Sequence, residues 1–152
     1  MKIALSVVGI VAGILVAVYV FGKPHADITP QNFGVPTPAD LALDRSEVAA
    51  AFEARVNDIS PTPATGDIGW VVRKIDFVEG KPAAYVEYTD THLLLRLLVQ
   101  YKAATPVDFF VLATFTPIDI DTWQIANGED VAKDKELITY KYDLESGEWV
   151  EE

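Results

Sequence analysis

The chain has 152 residues, half of them hydrophobic and 23% charged, with a formal net charge of −11 at pH 7. Its length sets one domain as the default, and its apolar content argues against disorder. The acidity disfavours nucleic-acid phosphates and anionic lipid surfaces, and the lack of cysteine excludes disulfides, thiolate metal sites, thiol nucleophiles and lipid attached through Cys.

Residues 3–22 carry no charge. As a helix they would span about 30 Å, the thickness of a bilayer's hydrocarbon core. A transmembrane anchor is therefore expected over 1–23. A cleaved signal peptide is the alternative, although the apolar run is long for one and the exit around Lys23, Pro24 and His25 resembles a cleavage site poorly. All 23 acidic residues follow the run, so its layout is that of a signal anchor with the acidic part outside the cytoplasm. Cleavage would instead leave a secreted or periplasmic domain. Gly9, Gly13 and Ala17 recur every fourth residue and would line one helix stripe, a candidate surface for homodimerisation in the membrane.

Residues 24–42 contain Pro24, Pro30, Pro36 and Pro38 and read as an extended spacer. The folded domain is expected over 43–152. Asp44 is a helix N-cap candidate, with Glu47 placed for a capping box and Leu43 with Val48 for a hydrophobic staple. Val48, Ala49, Phe52, Val56 and Ile59 share one side of the helix that follows. Proline in "SPTPATG" ends it.

Beyond that loop, "WVVRKIDFV", "PAAYVEYTD", "HLLLRLLVQYK" and "VDFFVLATFTPI" are rich in branched and aromatic residues and are separated by turn-like stretches. They predict an antiparallel meander. The third run also has a helical spacing of polar residues at His92, Arg96 and Gln100, but its neighbours favour a strand. Asn127-Gly128 suits a tight hairpin turn, and a last hairpin is expected about Ser146 and Gly147. The fold class is thus α+β: an N-terminal transmembrane helix, then one amphipathic helix on a curved antiparallel sheet of four to six strands. That architecture resembles cystatin-like and nuclear-transport-factor-like folds.

Chemistry-bearing residues are sparse. Neither a phosphate-binding glycine loop nor a zinc-protease helix motif occurs, and there are only two histidines. His25 falls in the spacer. His92 follows Asp90 near a turn, and a carboxylate beside an imidazole is a candidate acid-base pair. "DIDTWQIANGED" begins like a calcium loop but has Trp123 and Gln124 where a ligand and the turn glycine belong, leaving Asp119, Asp121 and Glu129 as a candidate oxygen-rich ion site. Trp70, Trp123 and Trp149 are core candidates, while Tyr85, Tyr88, Tyr140 or Tyr142 could face a groove.

No cofactor is implied. The leading functional expectation is a membrane-tethered, extracytoplasmic module that binds or scaffolds a protein partner. A small enzyme or ligand carrier with a pocket between helix and sheet is the alternative. A filament subunit is a third class, but the run 1–22 lacks the leader site and early glutamate it would need.

Overall fold

The computed structural model describes residues 35–65 and 67–152. The expected anchor, its stripe of Gly9, Gly13 and Ala17, and His25 lie outside the described residues. Among the described residues, no helix is long and apolar enough to cross a membrane.

A short helix α1 (Pro38–Leu41) precedes the main helix α2 (Arg45–Ile59). The strands are β1 (Val71–Val78), β2 (Ala83–Thr89), β3 (Leu94–Lys102), β4 (Asp108–Asp119), β5 (Thr122–Gly128), β6 (Leu137–Asp143) and β7 (Glu148–Glu151). They form one sheet in the order β5-β4-β3-β2-β1-β6-β7, with every neighbouring pair antiparallel. The first five strands are a meander. The chain then crosses back, and β6 pairs with the far side of β1.

Asp44 caps α2 by accepting from the Ser46 amide at 2.8 Å and the Ser46 hydroxyl at 2.6 Å. The reciprocal capping box forms one helix earlier, between Thr37 and Asp40. α2 lays Val48, Ala49, Phe52 and Val56 on one face of the sheet, against a core that includes Ile75, Phe77, Val86, Tyr88, Leu97 and Val99. Phe52 meets Phe109 edge-on at 5.1 Å, and Trp149 donates its indole N–H to Glu53 at 2.9 Å. Full burial of Phe52 contributes roughly 1.5–3 kcal/mol.

The sheet has seven strands, more than the four to six expected. A helix about 10 Å across covers only two or three strands spaced about 4.8 Å apart. The extra width is carried by a second core on the opposite face, where Val78, Ala83, Tyr85, Leu98, Ala113 and Phe115 pack with Ala132 from the β5–β6 connection. A sheet with apolar clusters on both faces is not limited by the reach of one helix.

Residues 38–41, at the end of the expected spacer, belong to the fold. Asp40 is buried and accepts from the Ala103 amide at 2.7 Å, which docks α1 beside the β3–β4 turn. This is the end of the sheet at which the described chain enters. β4 runs 12 residues away from it, about 40 Å at ~3.3 Å per residue, so the β4–β5 turn lies at the opposite end.

Candidate binding surface

The sheet face opposite α2 carries a cluster of charges. Strand alternation points Lys74 and Asp76 of β1 to that side, and the registers Lys74↔Glu87 and Glu87↔Arg96 bring their partners alongside. Asp76 receives Lys74 at 3.1 Å, Arg96 at 2.9 Å and the Thr139 hydroxyl at 2.7 Å. Glu87 lies 3.2 Å from Lys74 and 3.9 Å from Arg96. Partial burial pulls the Lys74 pKa down, but the carboxylates of Asp76 and Glu87 outweigh it, so the net shift is upward and the ammonium stays charged.

The Arg96 guanidinium is 4.3 Å from the centroid of Tyr85 and 5.6 Å from that of Trp123. A cation between two ring faces ties β2, β3 and β5 together through side chains. Tyr85 also donates to Asp130, and its phenol is pushed well above the ordinary range by burial and then by that carboxylate. The tyrosine is therefore a fixed hydrogen-bond donor at neutral pH, and it pins the β5–β6 connection to the sheet.

This bracing positions the β4–β5 hairpin. Pairing of β4 with β3 ends at Arg96↔Phe115, while pairing with β5 continues through Pro117↔Trp123 to Asp119↔Thr122. The tip thus projects beyond the β3 ladder. It exposes Ile118 (64%) and Ile120 (84%), and β5 adds Ile125 (46%). Ile118 is the extra residue of a register shift between Pro117 and Asp119, which turns its side chain out of the alternating pattern. Ile68, Leu93 and Leu144 are also exposed, in connections at the same end of the sheet. Isolated exposed apolar residues are ordinary, and Ile118 and Ile120 together at the projecting tip make this rim the candidate contact surface.

The two edges of the sheet differ. β7 is four residues long with Glu148 and Glu151 in it. β5 is seven residues, Thr-Trp-Gln-Ile-Ala-Asn-Gly, with no charge. Short length, charge and bulges protect an edge from pairing with another chain; β5 has neither of the first two and has one bulge, at Ala126 near its end.

The other sequence candidates sit as follows. Asp90 is buried in the β2–β3 turn, accepting from the Thr65 amide (2.7 Å) and hydroxyl (2.6 Å) and from the amides of His92 (3.0 Å) and Leu93 (2.8 Å). The Thr65 hydroxyl and amide, followed by those turn amides, hold its carboxyl below the usual range. The carboxylate thus meets the His92 backbone, and the His92 residue is exposed. Asp119 accepts from the Ile120 amide at 2.8 Å, and Asp121 and Glu129 are exposed at opposite ends of β5. Among the described residues, no group of three or more His, Asp or Glu side chains is gathered for a metal ion.

Of the four tyrosines singled out, Tyr88 is in the helix-side core and Tyr85 is buried on the opposite face. Tyr140 lines an open cleft of about 490 Å³ at the entry end, with Leu43, Asp44, Arg45, Lys81 and Tyr101. Burial raises the pKa of both cleft phenols, which keeps them protonated at neutral pH. Tyr142 lines a second cleft of about 390 Å³ beside Trp149.

Sequence reasoning did not single out the charged cluster or the isoleucine tip. Alternation within "RKIDF" already places Lys74 and Asp76 on one side, but adding Glu87 and Arg96 needs the register of three strands. The signal for the tip was "TPIDID", where alternating carboxylates make a buried strand end untenable. Comparison of the chain with protein-family models, with curated proteins and with solved structures finds no match.

Proposed function

We propose that the chain is a membrane-anchored, extracytoplasmic module that binds or scaffolds a protein partner through the far rim of its sheet. One observation carries this reading: exposed Ile118 and Ile120 stand at the opposite end of β4 from Asp40, where the chain enters the fold. A tether made of residues 3–22 and the proline-rich segment behind it would hold the domain by its entry end, presenting the apolar tip outward. The charged cluster stiffens the surface from which the tip projects.

The test uses the lack of native cysteine. A single Cys introduced at the exposed residue Lys133 makes one thiol per chain. Membrane retention after alkaline carbonate washing, with labelling by an impermeant maleimide in intact cells, is the expected result. Release into the soluble fraction or labelling only after lysis would overturn the tethered, outward-facing arrangement. A photo-crosslinking side chain at Ile120 should capture a discrete protein band that one at Lys81, at the entry end, does not.

The ligand-carrier alternative has its own observation. The entry-end cleft falls within the usual range of small-molecule sites and offers Arg45, Lys81 and two protonated phenols. A small molecule that raises the melting temperature of the native chain, but not of Arg45→Ala, would favour it.

A further inference from the structure

The β5 edge carries a more specific statement about the partner, one that rests on the binding-module reading above. We infer that β5 accepts an extended protein segment with an uncharged core and basic flanks, which adds to the sheet as an eighth strand.

Among the described residues, β5 has a strand neighbour only on its β4 side, so its other side offers backbone donors and acceptors for pairing. The stretch 122–125 runs opposite 119–115 of β4 before a second shift near Ala126 bends the edge. Four residues in extended form are enough to register a short peptide strand. Ile125 supplies an exposed apolar side chain on this edge, and the Arg96 stack holds Trp123 from behind. The edge is braced and need not order itself on binding.

Charge selects the occupant. Asp119 and Asp121 flank one end of β5 and Glu129 the other. In an antiparallel pairing of two copies, Asp121 of each would meet Glu129 of the other, with Asp119 one strand behind. In a parallel pairing, each acidic end would meet its own copy. Both arrangements juxtapose like charges in a chain of net charge −11. A segment with Lys or Arg on both sides of an uncharged centre turns the same two ends into attractions.

The experiment uses the full chain in mild non-ionic detergent and a capped synthetic octapeptide, Lys-Lys-Thr-Val-Thr-Val-Lys-Lys. Binding is read by calorimetry and by amide hydrogen exchange. Exchange at the β5 amides should slow by about tenfold on saturation, with β7 unaffected. Affinity should fall about tenfold or more when Glu replaces the peptide's flanking Lys, and likewise in the triple variant D119K/D121K/E129K. It should also weaken between about 50 and about 300 mM salt. Circular dichroism and melting temperature establish that the variant is folded; if it is not, Ile125→Lys alone serves, with the same expectation.

Several results would overturn the inference. Equal binding of the Glu-flanked peptide removes the charge argument, and undiminished binding of a core-N-methylated peptide removes strand addition. Protection at β7 or in the entry-end cleft moves the site. β5 protection that rises with protein concentration alone assigns the edge to a second copy, and protection already complete in dilute protein assigns it to this chain's own residues 1–34. The absence of any binding overturns the inference while leaving the crosslink at Ile120 as an independent test of the module reading.

Discussion

Arg96 and Asp76, twenty residues apart in sequence, meet at 2.9 Å on the sheet face that α2 does not cover, with side chains only 15% and 5% exposed. Removing the cation leaves a buried carboxylate with Lys74 and Thr139 as its remaining partners. Arg96→Ala should cost about 2–3 kcal/mol in urea denaturation, less than the full price of orphaning a buried charge because those two partners stay. The double variant Asp76→Ala/Arg96→Met should lose less than the sum of its single changes, by about 1 kcal/mol or more. Strict additivity would mean that the pair acts only as two independent side chains.

Two glycines with left-handed backbones test how the hairpin is held. Gly80 has φ +68 and open space where a side chain would go, whereas a Cβ on Gly128 (φ +82) would stand 2.1 Å from the Leu112 carbonyl oxygen. Gly80→Ala should cost about 1 kcal/mol, the backbone penalty alone. Gly128→Ala should cost about 3 kcal/mol or more and loosen β5, read as faster amide exchange at 122–127. Similar losses at both positions would mean that the close approach to Leu112 relaxes freely.

Asp90 predicts an acid limb of stability. Its folded pKa lies below the unfolded value of about 3.9, so its stabilising contribution is complete above that value and is lost as the pH falls toward the folded pKa. Asp90→Asn should lower the melting temperature at pH 7 and flatten its fall between about pH 4 and about pH 2. An unchanged slope in the variant would assign the acid sensitivity to other carboxylates, with Asp40, which the Ala103 amide and Thr37 hold low, next in line.

Ile120→Lys separates folding from contact. The side chain is 84% exposed, so stability should stay within about 0.5 kcal/mol, while crosslinking from a probe at neighbouring Ile118 should fall severalfold. A large loss of stability would show that the tip packs against something of its own chain.

Much of this domain could be read locally. The α2 face needed only the spacing of Val48, Phe52 and Val56 and the acceptor of Asp44, all within one helix. The run around Leu97 and Val99 had both helical and strand periodicity. It is β3, with Leu95, Leu97, Val99 and Tyr101 turned to the helix-side core, because flanking strands satisfy its backbone on both sides. Asn127-Gly128 is a correction: it ends β5, and the β4–β5 turn falls at Ile120 and Asp121 instead. The positive φ that suits a turn is used here for a close approach to Leu112. The Asp76–Arg96 cluster was not legible, because ion pairing across strands depends on register, which no single strand contains. The Asp40–Ala103 bond joins residues 63 apart and left no periodic trace in the proline-rich stretch before it.

That bond also bears on how the fold would meet a pull applied to its lead. Tension arriving along the chain ahead of Val35 reaches the body at Thr37 and Asp40, where one carboxylate gathers the Thr37 amide and hydroxyl and the Ala103 amide. The pull would thereby pass to the bend joining two interior strands, β3 and β4, and not to an outer strand. In such a pull Asp40 would act as a strain-relief clip between the lead and the sheet.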